Sequence, residues 1–256
     1  AVWDRAVPES NTLEEPYPMY GSNRIHRMRS PRLVASLAAW LMLAAVPATG
    51  MSVEEARTYL ETQDTTREVA NPTALDRYVA TPDDTFSYEL VHTVDREGYK
   101  GYIFHMKSQT WREPDEIDRT VWEHYVSVAV PDDVQHETAF LLIGGGNNQD
   151  GAPRGLNPIL RQICQSTHAI AATVSQIPNQ PLEFYDGKRG SEDMLIAWTW
   201  DRFMRTGDAN WPLRLPMTKC VVRAMDLVQQ FAISEDGGEH FVQDFIVAGA
   251  SKRGWT

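Results

Sequence analysis

Ser251 sits among small residues in the stretch VAGASKRGWT, where the apolar run DFIVAGA ends, two positions after Gly249 and three before Gly254. A serine in that setting suits a nucleophile elbow. The chain turns sharply from strand to helix there, and small neighbours let the turn close and lift Oγ above the sheet. The departure from that pattern is Arg253, which stands where such turns usually carry a small residue. A serine N-cap for a following helix is the plainer reading, and it is compatible with the first because an elbow serine also opens a helix. A second stretch able to do chemistry is Gly144-Gly145-Gly146-Asn147-Asn148, which follows TAFLLI. It is not a dinucleotide fingerprint, since Gln149 stands three after Gly146, nor a phosphate loop, since Ala152 follows Gly151 where lysine is required. It leaves several backbone amides able to approach a developing negative charge, as an oxyanion hole needs. Taken alone, a plain turn with positive-φ residues explains it equally well.

These two stretches need elements to position them. TFSYELVHTV, GYIFHMKSQTW and VWEHYVSVAV alternate apolar and polar residues and predict three antiparallel strands, with turns at Asp95 to Gly98 and Glu113 to Asp118. TAFLLIGGG, HAIAATV and DFIVAGA are instead continuous apolar runs, as expected of parallel strands buried on both faces. Helical patterns separate them at Asn157 to Ser166, Ser191 to Met204 and Met217 to Ile233, the last with Cys220, Ala224, Leu227, Val228 and Phe231 on one face. Upstream, Ser52 and Glu55 make a capping box for a helix through about Glu61, and Asn71-Pro72 predicts the start of a second short helix. A β meander feeding a β-α-β series predicts an α/β sandwich with a mostly parallel sheet. Open sheets of that kind bind ligands at the carboxyl ends of their strands, where both glycine-rich stretches fall.

At 256 residues and 42% hydrophobic, the chain can bury a substantial core. Its formal charge of -11 weighs against a nucleic-acid groove or an anionic membrane surface as partner. Residues 1–27 show no apolar period and read as a disordered or non-native extension. From Met28, a basic region with Arg29 and Arg32, the apolar run Leu33 to Val46 and the small residues up to Gly50 predict a signal peptide over 28–50. The run is shorter than the about 20 residues a spanning helix needs, so no stable membrane span is expected. Export would permit a disulfide between Cys164 and Cys220, although each also fits an apolar helical face as a free thiol. No HExxH, CxxC or calcium-loop spacing occurs, so no metal or other cofactor is called for. The acidic pairs Asp83-Asp84, Asp132-Asp133 and Glu192-Asp193 read as loop-solvating or dipole-favouring carboxylates. Trp198, Trp200 and Phe203 read as core and near-core packing. The turn Ile177 to Leu182 follows a parallel strand, which makes Asn179 and Gln180 substrate-proximal candidates.

The strings ALDRYVATPDDTFSYEL, SQTWR, LLIGGGNN, SQIPNQPL, EDMLIAWTWDRF, LPMTKCVVRAMD and GASKRGWT resemble the PhoPQ-activated pathogenicity-related protein family, over about Met51 to Thr256. The resemblance implies an exported, α/β-hydrolase-like three-layer sandwich with antiparallel first strands and a mostly parallel sheet. It implies that Ser251 holds the nucleophile position, with the amide of Lys252 as one oxyanion donor and Gly145, Gly146 or Asn147 supplying the other. It leaves the substrate undefined. In such hydrolases an acid and then a histidine follow the serine along the chain, whereas all seven histidines here precede it. His168 and His240 would stand at the wrong ends of their strands. The expectation is therefore that 51–256 is the amino-terminal part of one domain, cut after the elbow, with acid and base in a carboxyl-terminal half. The 256-residue chain alone is expected to be catalytically silent and aggregation-prone. Two functions follow: an exported serine hydrolase of esterase or peptidase type, or a binding or signalling protein on the same scaffold.

Overall fold

The computed structural model describes residues 52–62 and 71–256, so the expected extension and signal peptide lie outside the described residues. Helix α1 (Val53–Thr62) starts at the expected capping box, with Ser52 Oγ accepting from the Glu55 amide at 3.2 Å and the Glu55 carboxylate accepting from the Ser52 amide at 2.8 Å. Helix α2 (Ala74–Ala80) starts two residues later than Asn71-Pro72 predicts. Thr73 is its N-cap, because Thr73 and Asp76 satisfy each other's amides in a second capping box.

Three long strands follow as an antiparallel meander: β1 (Ser87–Arg96), β2 (Tyr99–Thr110) and β3 (Val121–Pro131). The turn between β1 and β2 is Glu97-Gly98, and Gly98 takes φ +86, a left-handed conformation that a two-residue hairpin demands. Then come β4 (Thr138–Ile143), α3 (Pro158–Thr167), β5 (Ala171–Val174), the short hairpin β6 (Leu182–Glu183) and β7 (Arg189–Gly190), α4 (Asp193–Thr206), α5 (Arg214–Ala232) and β8 (Asp244–Gly249).

The main sheet has six strands in the order β1-β2-β3-β5-β4-β8, with β4 parallel to both β5 and β8 and β3 antiparallel to β5. Side-chain alternation along these strands builds a core on each face. Val126, Val128, Leu141, Ile143 and Val174 pack with Leu195 of α4 and with Ala224, Leu227 and Val228 of α5. Ile103, Ala129 and Ala171 point the other way and pack with Leu160 and Cys164 of α3. Helices on both faces of one sheet make the three-layer sandwich, and the meander and the parallel strands fall where the sequence puts them. The expectation of complete burial fails at β8. Among the described residues it is an edge of the sheet with β4 as its one partner, and Ile246 and Val247 are exposed.

This layering keeps the two cysteines apart. Cys164 lies in the α3-side core and Cys220 in the α5-side core, so the Cys164–Cys220 disulfide does not form and both thiols are free and buried. Burial pushes the Cys164 thiol up to about 12 and that of Cys220 well above its ordinary value, so neither offers a thiolate. Both should resist a soluble disulfide reagent in the native protein and react once it is unfolded, and fast modification of either native thiol would contradict this placement. Trp198 is a core residue, stacked on Phe184 with ring centroids 3.7 Å apart, whereas Trp200 lies largely exposed on the outer face of α4. Among the described residues no helix is long and apolar enough to cross a membrane, and no cluster of ligating side chains gathers that could hold a metal ion.

Candidate active site

The last paired position between β4 and β8 joins Ile143 to Gly249, so the GGG loop and Ser251 leave neighbouring strands at the same, carboxyl, edge of the sheet. Chain direction reverses around β4, with α3 crossing on one face and α4 and α5 on the other. That leaves a crevice where open α/β sheets take ligands. Ser251 has φ +55, in the left-handed region that a side-chain-bearing residue adopts at a cost of order 1–3 kcal/mol. It opens a short 3-10 turn, Ser251–Trp255, whose N-cap is Ala250. The hydroxyl is therefore not used as a helix cap.

The turn closes because two glycines meet. A Cβ on Gly249 would lie 2.7 Å from the carbonyl carbon and oxygen of Arg253, and one on Gly254 would lie 2.8 Å from the Gly249 oxygen. The small residue demanded after the serine is thus Gly254, and Arg253 is free to be large because its side chain swings away. Its Nε donates to Ile177 O at 2.8 Å and its Nη2 to Glu192 Oε1 at 2.6 Å. On the way the guanidinium crosses Gly145, where a Cβ would stand 2.6 Å from Nη2.

Of the expected oxyanion donors, the amides of Lys252, Gly145 and Gly146 take no acceptor among the described residues. The amide of Asn147 donates instead to Asp150 Oδ2 at 2.7 Å. Asn179 and Gln180 lie inside the protein. Asn179 Nδ2 donates to Glu123 O at 2.7 Å, and Gln180 Nε2 donates to Gly146 O at 3.0 Å and Glu192 Oε1 at 2.8 Å. The loop that carries them has cis peptides at Ile177-Pro178 and Gln180-Pro181 and is tied to the GGG loop by Gln176 N to Gly145 O at 3.0 Å and Ile177 N to Gly144 O at 3.2 Å. Gln180 supports the glycine loop and Asn179 ties its own loop to β3, and neither side chain faces open solvent.

Glu192 is the residue that sequence reasoning missed. Read as a dipole-favouring carboxylate, it proves to be the meeting point of Lys252, Arg253 and Gln180 at the start of α4, again with a left-handed φ of +57. Partial burial works to raise its pKa, but the hydrogen bonds from Arg253 and Gln180 and the ion pair with Lys252 outweigh it and hold the carboxyl at about 2. Asp193 beside it is largely exposed and pairs with Lys252 at 3.0 Å. The only signal in the sequence is opposite charge at distant positions.

The histidines stand elsewhere. His168 and His240 precede β5 and β8 and so occupy the opposite edge of the sheet from Ser251, with the six-residue β8, about 17–20 Å long, between His240 and the elbow. His124 is buried, with Nε2 3.0 Å from Ser108 Oγ and Nδ1 3.1 Å from Ser175 O. That serine–histidine contact is sealed, since Ser108 is fully buried as well. A cavity of about 720 Å³, walled by Tyr78, Trp111, Arg112 and Lys219, has no residue of the elbow or the glycine loop in its lining. Its cations are satisfied: Lys219 Nζ caps α2 through Thr81 O at 2.7 Å, and Arg112 pairs with Asp208 at 2.8 Å and with Glu116.

A doubly wound sheet, antiparallel at its start and carrying a left-handed serine on a sharp turn after a parallel edge strand, is α/β-hydrolase-like. The profile of the PhoPQ-activated pathogenicity-related protein family matches residues 75–256, and the chain belongs to that family. It is 41% identical over 187 residues to autocrine proliferation repressor protein A of Dictyostelium discoideum, an alignment that covers 72% of this chain and 37% of the relative. The chain thus spans little more than a third of that relative's length. Among solved structures it is similar to a Bacteroides fragilis protein assigned as an acetyl xylan esterase, at 15% identity and a TM-score of 0.38 over 79% of this chain and 49% of that one. That likeness is too loose to bear on activity.

Proposed function

We propose that the protein is an exported serine hydrolase of esterase or peptidase type in which Ser251 is the nucleophile. The observation that carries the reading is the left-handed Ser251 held at the tip of a strand by the contact of Gly249 with Gly254. Small residues packed that tightly around a strained serine make an elbow that raises Oγ above the sheet edge. In the reaction, Oγ attacks the carbonyl carbon of an ester or amide while a general base takes its proton. The amide of Lys252, with that of Gly145 or Gly146, receives the oxyanion. Collapse of the tetrahedral intermediate expels the protonated alcohol or amine, and water then releases the acid from the acyl-enzyme. The base and its orienting acid are proposed to come from chain beyond Thr256, because the described histidines are placed elsewhere. The segment 28–50 is proposed to direct export.

The name of the amoebal relative favours a second reading, a binding or signalling protein on the same scaffold. One experiment separates the two. Full-length protein treated with an aryl phosphonate probe should be labelled on Ser251, and Ser251→Ala should lose the label and at least about 10³-fold of any turnover. Absence of Ser251-dependent labelling would leave the binding reading standing and remove the hydrolase.

A further inference from the structure

We infer that Glu192 is a positioning residue that holds both halves of the oxyanion site in register, an inference that rests on Ser251 being a nucleophile. An oxyanion hole assembled from two loops works only if the loops keep their spacing to a fraction of an ångström, since the donors must meet a charge that exists only in the transition state. Here the two loops leave separate strands, and Glu192 is tied to both, directly to the elbow and through Gln180 to the glycine loop. Toward the elbow it takes the two residues that follow the serine. Arg253 Nη2 donates to Oε1 at 2.6 Å, and Lys252 Nζ stands 2.7 Å from Oε2 in an ion pair off the hydrogen-bond direction. Toward the glycine loop it acts through Gln180, whose Nε2 bridges Glu192 Oε1 and Gly146 O while its Oε1 accepts from the Glu192 amide at 2.8 Å.

The backbone fits the same role. Glu192, Gln176 and Ser251 all take left-handed φ values without being glycine, at +57, +63 and +55. These three converge on the crevice, and residues held in such conformations persist only where their surroundings fix them. Lys252 O is held from a further side by Arg214 Nη1, so the peptide unit that follows the proposed donor amide is fixed as well. The site lies at the protein surface and its clamp is partly covered: the Lys252 and Arg253 side chains are 15% and 16% exposed and that of Glu192 is 35% exposed. Partly buried charge-assisted bonds of this kind are stronger than their exposed counterparts.

Removing the carboxylate should loosen the spacing without removing the nucleophile. In the full-length protein, Glu192→Ala and the near-isosteric Glu192→Gln are compared with wild type for the rate of phosphonate labelling at saturating probe, the probe concentration for half-maximal rate, and the melting temperature. The expected result is a maximal labelling rate lower by about 10–100-fold in Glu192→Ala, since misplacement of about 1 Å costs that order. Glu192→Gln should lie between Glu192→Ala and wild type, because it keeps one acceptor for Arg253 or Gln180, and the half-maximal concentration should stay within a few-fold. A purely structural role would lower the melting temperature and leave the maximal rate of the folded fraction unchanged, which overturns the inference. Equal rates in all three proteins overturn it as well. If wild type itself is not labelled on Ser251, the hydrolase reading fails and this inference fails with it, a result distinct from labelled wild type with unaffected variants.

Discussion

Gly249→Ala is expected to slow phosphonate labelling of Ser251 by about 100-fold or more, although the substitution adds one methyl group and touches no reacting atom. The added Cβ meets the Arg253 carbonyl carbon and oxygen at 2.7 Å and the Gly254 nitrogen at 3.0 Å. All three are backbone atoms of the turn itself, so no flexible side-chain end can yield. Either β8 moves away from the turn or the turn opens, and both displace Oγ from the edge it was raised above. Overpacking of this kind costs about 1–3 kcal/mol in a well-packed site. The variant should therefore fold, with a lower melting temperature, and react slowly. Labelling at the wild-type rate would mean that the approach of Gly249 to Gly254 does not set the serine.

Acid should weaken the fold through His124, and the sign follows from where its proton sits. Burial is the main cause that lowers its pKa, to about 4 from the ordinary 6.5, with the nearby His105 adding slightly and backbone contacts at Ser175 and Gln176 opposing. In the unfolded chain the imidazole titrates at its ordinary value. Between pH 6.5 and about 4 the unfolded state therefore binds more protons, and stability falls as the pH drops through that window, by roughly 3 kcal/mol in total. Above pH 6.5 the contribution is complete and flat. Urea midpoints at pH 7.5 and 4.5 should differ more in wild type than in His124→Gln, which has no such proton to take up. Equal differences would show that His124 is not the group responsible. Glu192 acts lower: its depressed pKa gives stability that is present above pH 4.5 and lost as the pH falls toward about 2.

What the sequence disclosed and what it hid divide by range. The long strands declare themselves because each alternates sides every residue, and Cys220, Ala224, Leu227, Val228 and Phe231 are all buried on the predicted face of α5. Capping boxes are equally local, although at α2 two caps competed and Thr73 won because Asp76 could answer it. The exposure of β8 is not written in its apolar composition, which says that a strand is wanted inside and not which partners it has. The clamp was missed because its contacts join distant positions, Arg253 and Glu192 being 61 residues apart. No periodicity records such a pair. The elbow stood between these cases. Its serine and Gly249 were legible, whereas the role of Gly254 depended on the path taken by the Arg253 side chain. The placing of Asn179 and Gln180 was hidden in the same way, because their partners Glu123 O and Gly146 O lie far away in the sequence.

The guanidinium of Arg253 lying across Gly145 makes those two positions a single steric unit. The two are coupled: a side chain at position 145 displaces the guanidinium from its bonds to Ile177 and Glu192, and a shorter residue at 253 uncovers the glycine. Lineages of this family should therefore change the two together, and a homologue carrying alanine at the place of Gly145 should have surrendered the arginine too.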